Sequence, residues 1–369
     1  MSNKQYKIVI SGGGTGGHLF PAMAIAEALK QLEPSVELLF VGALGKIEME
    51  RVPAAGYKII GLDIRGLQRK FTVDNLMFPI RLAKSLFKSF NIINEFKPDV
   101  AVGVGGYASG PLLYAASVKG VPTVIQEQNS YPGITNKLLA KRAEKICVAY
   151  EGMEQFFPSD KIMLTGNPVR QDILDISGKK DEAANFFGLS RQKKTIFLTG
   201  GSLGARTLNE SILTHLQEFK NQDVQLIWQC GKFYYNSIKQ QFNEQEYPNV
   251  KLLEFVSRVD LAYALADVII ARAGASTISE LCLVKKPSVL VPSPNVAEDH
   301  QTKNAMALVN RDAAVLVKDA EAKSSLVAIA LGLLNDDAKK GKLSKNIADL
   351  GLQNSAQVIA KEILKLVKN

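Results

Sequence analysis

One pattern restricts the fold of this chain more than any other: a short apolar run, a glycine-rich turn and then a helical periodicity. Its first copy enters through Ile8–Ile10, has five glycines between positions 12 and 17, and continues through Pro21 into a helix. Further copies begin at Asp99 and Thr195. Glycine permits positive φ and close approach to a ligand, and a helix start offers unpaired N–H groups. We therefore expect strand–loop–helix units that bind electron-rich groups.

Strand-like runs alternate with helical patterns along the whole chain, which indicates mostly parallel sheets covered by helices on both faces. The predicted strands are residues 8–10, 36–42, 57–62, 99–104, 121–126, 145–150, 161–165, 195–199, 224–228, 251–256, 268–271, 288–291 and 314–317. With 369 residues the chain is too long for one ordinary core. The pattern restarts after a polar, lysine-rich stretch, so we predict two similar α/β domains with a ligand-binding cleft between them.

We place the domain boundary before Pro168, which gives an N-terminal domain of residues 1–167 and a C-terminal domain of residues 168–349. The remaining residues, 350–369, contain an amphipathic helix with apolar positions such as Ile359 and Ile363. This helix either closes the second domain or packs back on the first.

The composition is that of a folded protein, with 46% hydrophobic and 22% charged residues. Neither a signal peptide nor an apolar run near the ~18 residues of a membrane span is found, so we expect a cytosolic chain. Cys147, Cys230 and Cys282 have no CxxC spacing and lie in apolar segments. Buried, reduced thiols are therefore expected, and no metal site.

A net charge of +9 requires an explanation, and six basic residues against the single acid Asp74 lie between Arg65 and Phe90. Apolar residues alternate with the basic ones there, so a helix would be apolar on one side with a basic rim. A core helix with a solvated basic rim explains the pattern equally well. Nucleic acid is the less favoured partner, because the aromatic residues do not follow an RNA-binding motif.

The common nucleotide-binding motifs fit poorly. Gly12-x-Gly14-x-x-Gly17 matches GxGxxG, but the acidic residue expected after the second strand is missing, and no GxxxxGK[ST] occurs. A nicotinamide dehydrogenase is thus a second choice. His18, the last polar side chain before the expected helix, can exchange a proton near neutral pH. A capping or packing histidine is the alternative.

The segment Arg272–Glu280 passes from a strand end into a helix start. Thr277 and Glu280 have capping-box spacing, which would make Glu280 a purely structural residue. Alternatively the helix start binds a diphosphate and Glu280 accepts hydrogen bonds from two sugar hydroxyls. Arg206 fits an anion site, and the polar loop at residues 291–305 suits a carbohydrate.

Seven motifs taken together resemble the MurG family, the N-acetylglucosaminyltransferases of peptidoglycan synthesis. They are GGGTGGHLFPAMAIAEAL, GVGGYASGP, EQNSYPGITNKLLA, GNPVR, GGSLGAR, ARAGASTISE and DHQTKNA, in that order between about residues 8 and 310. The resemblance implies two Rossmann-like domains with a deep interdomain cleft, the GT-B architecture. It also implies inverting transfer of N-acetylglucosamine from UDP-GlcNAc to the 4-hydroxyl of the muramoyl sugar of lipid I, without a metal or cofactor.

The resemblance also assigns residues. His18 is the candidate general base and Glu127 the second candidate. The implied substrate-binding residues are Thr15, Gly16, Gly17, Asn129, Arg170, Ser202, Val256, Ala275, Ser276, Thr277, Ile278, Ser279, Glu280 and Gln301. Val256 would act through its backbone near the uracil, Glu280 on the ribose and Gln301 on the transferred sugar. Gln126 stands where some members carry histidine, so a task of that histidine cannot be performed here.

A lipid-linked acceptor gives the basic–apolar stretch 65–90 a partner. Lipid I, undecaprenyl-diphospho-muramoylpentapeptide, stays in the bilayer, so we expect a peripheral protein on the cytoplasmic face of the inner membrane, bound to anionic lipid and not to nucleic acid. A UDP-sugar epimerase or hydrolase of the same architecture is an alternative enzyme, and a basic nucleotide-binding or nucleic-acid-binding module is the alternative outside enzymes.

Overall fold

The computed structural model describes residues 5–66, 77–169, 173–296 and 299–368. The chain forms two compact units. The first unit is Met1–Val169 together with Leu352–Asn369, and the second unit is Arg170–Gly351.

The described part of the first unit contains a seven-stranded sheet in the order β3-β2-β1-β4-β5-β6-β7. Its strands are β1 (Lys7–Ser11), β2 (Glu37–Ala43), β3 (Lys58–Leu62), β4 (Val100–Gly103), β5 (Thr123–Glu127), β6 (Lys145–Val148) and β7 (Ile162–Leu164). Neighbouring strands pair in parallel throughout, for example Ile8 with Leu38 on one side and with Val100 on the other.

The described part of the second unit contains a six-stranded sheet in the order β10-β9-β8-β11-β12-β13. Its strands are β8 (Thr195–Thr199), β9 (Gln225–Gln229), β10 (Val250–Leu253), β11 (Val268–Ala271), β12 (Ser288–Leu290) and β13 (Val315–Leu316). These pairs are also parallel. Every predicted strand is confirmed, and so is the prediction of two parallel α/β domains.

Helices follow almost every strand, as parallel pairing requires. In chain order, those of the described residues are α1 (Gly16–Leu32), α2 (Glu48–Ala54), α3 (Phe78–Phe96), α4 (Ser109–Val118), α5 (Ile134–Leu139), α6 (Lys180–Phe187), α7 (Arg206–Thr214), α8 (Leu216–Asn221), α9 (Tyr235–Gln241), α10 (Val259–Leu265), α11 (Ala275–Val284), α12 (His300–Val309), α13 (Asp319–Asn335), α14 (Asp337–Ala348) and α15 (Ser355–Lys368).

Successive residues of a strand point to opposite faces of its sheet, and the buried cores follow that rule. Ile8 and Ile10 of β1 belong to one core of the first unit, whereas Val9 belongs to the other. In the second unit Trp228 is fully buried, and its indole Nε1–H donates to Asn209 Oδ1 at 2.9 Å. The sheets are therefore covered on both faces, as the alternating pattern predicts.

The first helix begins earlier than the sequence pattern suggests. Thr15 is extended (φ −146°, ψ 160°), its carbonyl accepts from the backbone N–H groups of His18 and Leu19, and α1 starts at Gly16. Pro21 lies inside the helix, where it removes one backbone donor. The expectation that His18 precedes the helix is therefore wrong, and His18 lies in the first turn.

The C-terminal helix α15 packs in the first unit. Ile359 and Ile363 are fully buried in the same core as Ile8 and Leu19, whereas Val358 remains 36% exposed. The apolar stripe of this amphipathic helix thus covers one face of the first sheet.

The cysteines are buried and unpaired, as expected. Burial raises the pKa of Cys147 to about 12, with a smaller contribution from Glu362, and raises the pKa of Cys282 to about 12. Burial raises the pKa of Cys230 to about 11. All three thiols are therefore protonated at neutral pH.

Replacing Ile363 by alanine should destabilise the first unit by about 2–5 kcal/mol, because it leaves a cavity in a fully buried core. Val358→Ala is the matched control and should cost under about 1 kcal/mol, since that side chain is partly solvated. Urea unfolding followed by circular dichroism measures the change. The only tryptophan, Trp228, lies in the second unit, so its fluorescence transition should stay in place. An equal shift of both signals would contradict the assignment of α15 to the first unit.

Candidate functional site

The carboxyl ends of parallel strands meet at one edge of a sheet, where open α/β folds bind ligands. In the first unit the adjacent strands β1, β4 and β5 end in the glycine loop before α1, in the pair Gly105–Gly106, and in Glu127. A Cβ added at Gly106 would lie 2.4 Å from the carbonyl oxygen of Gly13. The first two glycine loops therefore pack directly on each other, which only residues without side chains permit.

His18 is held at this edge by its own loop. Its Nδ1 lies 3.1 Å from the hydroxyl oxygen of Thr15, a hydrogen bond whose direction depends on the tautomer. The ring covers Gly105, where an added Cβ would lie 2.6 Å from His18 Cδ2. The imidazole is half-buried and has its position fixed from two sides.

Glu127 is 2% exposed at the end of β5 and serves as a hydrogen-bond acceptor for the following loop. Oε1 accepts from the backbone N–H (3.0 Å) and the side-chain amide (3.2 Å) of Asn129. Oε2 accepts from the N–H of Gly133 (3.2 Å) and from Asn136 Nδ2 (2.8 Å). Burial raises the pKa of Glu127, and these four hydrogen bonds act against that shift. The carboxyl group thus shapes the loop that carries Asn129.

Buried amide side chains also hold the loop after β5 in place. Gln126 Nε2 donates to Asn167 Oδ1 (2.9 Å) and Asn167 Nδ2 donates to the carbonyl of Gln128 (3.0 Å). Gln128 Nε2 donates to Gln126 Oε1 and to the carbonyl of Val104 (2.7 Å). Gln126, which stands where some MurG members carry histidine, therefore has a structural task in this chain.

The second unit contains a cavity of about 640 Å³ at the carboxyl edge of its sheet. Thr277 and Gln301, two of the predicted binding residues, line it together with Arg206. Its other lining residues are Thr199, Gly200, Gly201, Gly204, Ala205, Thr207, Tyr234, Arg272, Gly274, Ser293, Asn295 and Asp319. Ser202 lies in the same loop as the lining glycines. The backbone N–H of Ser293 donates to Gln301 Oε1 at 2.9 Å, which orients that side chain.

Helix α11 presents its N-terminus to this cavity. Gly274 is its N-cap residue, without a side-chain cap, and the buried hydroxyl of Ser276 has no hydrogen-bond partner among the described residues. Thr277 is the third residue of the helix, so the capping-box interpretation of Thr277 and Glu280 is wrong. Glu280 Oε2 instead accepts from the hydroxyl of Tyr263 at 2.8 Å. The unpartnered hydroxyl and the open helix start suit an anionic ligand.

An ion pair that sequence reasoning did not assign supports the floor of the cavity. Arg272 Nη1 lies 2.5 Å from Asp319 Oδ1 and also donates to the carbonyls of Val291 (3.0 Å) and Pro292 (3.1 Å). Asp319 Oδ2 accepts from Thr207 Oγ1 at 3.0 Å. The side chains of Arg272 and Asp319 are only 14% and 20% exposed. Through these contacts the pair connects the starts of α7 and α13 to the end of β12.

Gln229 connects Val256 to the third glycine loop. Its Oε1 accepts from the N–H of Val256 (2.9 Å), and its Nε2 donates to Thr199 Oγ1 (3.1 Å) and to the carbonyl of Gly201 (3.0 Å). Val256 is buried beside the exposed Phe255. The backbone N–H of Val256 therefore already donates a hydrogen bond within the protein. Neither Gln229 nor Arg272 was assigned from sequence, although Arg272 directly precedes the predicted helix start.

Arg170 lies outside the described residues, as do residues 67–76 of the basic–apolar stretch. Residues 78–90 of that stretch belong to α3, so the expected helix is present. Ile80 is 49% exposed and Phe87 70% exposed, one helical repeat of seven apart, with Lys84 exposed beside them. Lys88 Nζ donates to the carbonyl of Gly61 at 2.7 Å. We call Met77, Ile80, Lys84 and Phe87 the α3 patch. No helix among the described residues is long and apolar enough to cross a bilayer.

Comparisons with known proteins cover nearly the whole chain. Residues 8–148 match the glycosyltransferase family 28 N-terminal domain and residues 195–363 the glycosyltransferase family 28 C-terminal domain. A UDP-N-acetylglucosamine–N-acetylmuramyl-(pentapeptide) pyrophosphoryl-undecaprenol N-acetylglucosamine transferase from Flavobacterium psychrophilum is 56% identical over 366 residues, 99% of each chain. The transferase of that name from Parabacteroides distasonis is 57% identical over 364 residues, again 99% of each.

Solved structures agree with these relatives. MurG from Acinetobacter baumannii superimposes with a TM-score of 0.78 at 26% identity, covering 98% of this chain and 99% of that one. A UDP-N-acetylglucosamine 2-epimerase has the same fold, with a TM-score of 0.62 at 16% identity and coverage of 98% and 95%. The fold by itself therefore does not separate transferases from epimerases, whereas the sequence relatives do. By both domain matches and full-length identity, this chain belongs to glycosyltransferase family 28 and, within it, to the MurG family.

Proposed function

We propose that this chain transfers N-acetylglucosamine from UDP-GlcNAc to the 4-hydroxyl of the muramoyl sugar of lipid I, which yields lipid II and UDP. The observation that carries the proposal is 56–57% identity over 99% of the chain to transferases whose names state these substrates. In the reaction the acceptor oxygen attacks the anomeric carbon while the bond from that carbon to the diphosphate breaks. The configuration inverts, and the hydroxyl proton passes to a base.

The second unit is proposed to bind the sugar donor. Its cavity is lined by the open start of α11 and by the guanidinium of Arg206, and the unpartnered hydroxyl of Ser276 lies in the first turn of the same helix. These groups together suit a diphosphate. Glu280, oriented by Tyr263, would accept from the ribose hydroxyls. Gln301 would contact the transferred sugar. Because the N–H of Val256 already donates to Gln229, the carbonyl of Val256 would be the group that meets the uracil.

His18 is proposed as the general base. If its Nδ1–H donates to Thr15 Oγ1, the tautomer places the lone pair on Nε2, where it can accept the proton of the acceptor hydroxyl. Glu127 is the weaker candidate, because each of its carboxylate oxygens already accepts two hydrogen bonds. Thr15, Gly16, Gly17 and Asn129 would contact the substrates from the first unit.

The α3 patch is proposed to hold the protein at the cytoplasmic face of the inner membrane. Exposed Ile80 and Phe87 can enter the interfacial region while Lys84 remains at the anionic headgroups. Each basic residue near such a surface contributes ~1 kcal/mol, so the binding would be reversible. This location brings the enzyme to an acceptor that stays in the bilayer.

Purified protein incubated with UDP-GlcNAc and a lipid I analogue should form the disaccharide product, and added EDTA should not change the rate. Product is measured by chromatography of labelled acceptor. Consumption of UDP-GlcNAc without acceptor would favour the epimerase or hydrolase alternative, and loss of activity in EDTA would contradict a metal-independent reaction.

His18→Ala should lower kcat by about 10²–10⁴-fold, the usual contribution of a positioned general base, and leave the KM for UDP-GlcNAc within about twofold. Steady-state kinetics from pH 6 to 9 test this. His215→Ala, at a half-buried histidine of the second unit that lies outside the cavity lining, is the histidine control and should keep near-wild-type kinetics. Near-full activity of His18→Ala over that range would assign the base elsewhere, and Glu127→Gln is measured alongside for that case.

The double variant Ile80→Ser, Phe87→Ser should bind vesicles of phosphatidylglycerol and phosphatidylcholine at least about tenfold more weakly, since two exposed apolar side chains are lost. Phe186→Ser is the matched control, because Phe186 is an exposed phenylalanine (52%) of the second unit. Vesicle sedimentation gives the binding constants. Equal binding by the wild type and the double variant would remove the α3 patch as the membrane contact.

A further inference from the structure

Glu48 is a buried carboxylate that the proposed reaction does not use. It is the first residue of α2 and is 1% exposed. Its Oε2 accepts from the N–H of Gly14 (2.8 Å) and its Oε1 accepts from the N–H of Ala43 (3.0 Å). Burying a carboxylate is costly unless it is hydrogen-bonded, so these two backbone groups stabilise it there. A single side chain thus joins the loop after β1 to the end of β2.

Two glycines make the space that this carboxylate occupies. A Cβ at Gly13 would lie 2.2 Å from Glu48 Cδ, and a Cβ at Gly42 would lie 2.5 Å from Glu48 Cγ. Both distances are far below van der Waals contact, so any larger residue at either position would displace the Glu48 side chain. The space that the Glu48 side chain occupies therefore explains why positions 13 and 42 are glycine, which a ligand-binding role alone would not require.

Gly14, which Glu48 holds, is only four residues before His18 in the chain. Gly14 has φ +83°, a conformation that favours glycine, and it is followed by the extended Thr15 that starts α1. Thr15 in turn holds the ring of His18 at 3.1 Å. Glu48 thereby fixes the turn that carries the side chains of Thr15 and His18. The N–H of Gly14, which the sequence pattern suggested as a donor to a substrate anion, donates to Glu48 instead.

We propose that Glu48 is a positioning residue for the transfer reaction: its carboxylate holds the glycine loop so that Thr15 and His18 keep the geometry needed to accept the proton. This inference rests on the proposed function. Glu48 contacts no reacting group in this proposal and acts only through the loop.

The test is Glu48→Gln, which preserves shape but turns one acceptor into a donor facing a backbone N–H. We expect kcat to fall roughly 10- to 100-fold, as small misplacements of catalytic groups do, with the KM for UDP-GlcNAc within about twofold of the wild type. In a His18→Ala background the same change should cost less than roughly threefold, because coupled residues are not additive. Glu50→Gln, on the exposed side of α2, is the matched control and should change neither quantity.

A measurement on the resting protein separates this proposal from the proposed function. Amide hydrogen exchange of peptides covering residues 11–19 should be roughly tenfold faster in Glu48→Gln than in Glu50→Gln. If the wild type transfers no sugar, the proposed function fails, while the exchange rates still decide whether Glu48 holds the loop.

Three outcomes would overturn the proposal: unchanged exchange, unchanged kcat, or a loss that is fully additive with His18→Ala. If Glu48→Gln does not fold, Gly42→Ala takes its place. Its methyl group displaces the Glu48 side chain from the β2 side and should give the same kinetic and exchange changes. Wild-type behaviour of a folded Gly42→Ala protein would likewise contradict the proposal.

Discussion

Parallel pairing of the strands is the constraint from which the rest of this structure follows. A parallel pair cannot be closed by a tight turn, so the chain returns across the sheet between strands, mostly by a helix. All carboxyl ends in a sheet then point to one edge, and the helix starts that follow them point there too. In the first unit this collects the loops after β1, β4 and β5, and in the second unit those after β8, β11 and β12. Binding groups distant in sequence become neighbours for this reason alone.

The strands could be predicted from sequence because the signal for a buried parallel strand is local: an apolar run followed by glycine or a polar turn. Helix starts were predicted less well, because they depend on backbone geometry that side-chain types do not report. Extended Thr15 begins α1 at Gly16, well before the proline that the pattern suggested. Gly274 is the N-cap of α11, three residues ahead of Thr277, which removes the capping box. Both errors are shifts within correctly predicted elements.

The candidate site divides in a similar way. Residues in the first turns of the helices that follow the strands, such as His18, Thr277 and Gln301, could be named from motif and chemistry. Supporting residues could not, because their partners, both backbone and side-chain groups, lie far away in sequence. Gln229 connects the loop after β8 to Val256, and Arg272 joins the end of β12 to Asp319. The local sequence does not distinguish such a polar residue from an ordinary surface residue. Its role depends on the distant groups that come within hydrogen-bond distance only in the folded chain.

In the described part of the first unit, the buried carboxyl groups of Glu48 and Glu127 order the loops after β1 and β5, and the first of these loops is rich in glycine. Glycine loses more conformational freedom on folding than any other residue, so a loop of glycines is inherently hard to keep in one geometry. Glu48 fixes the loop after β1 by accepting from Gly14, and Glu127 fixes the loop after β5 by accepting from Gly133. In both cases a charge-bearing group is used on backbone amides rather than on a ligand. In the proposed reaction the proton passes to the half-buried imidazole of His18, whose loop is already ordered before the substrate arrives, so that less entropy is lost at the moment of reaction.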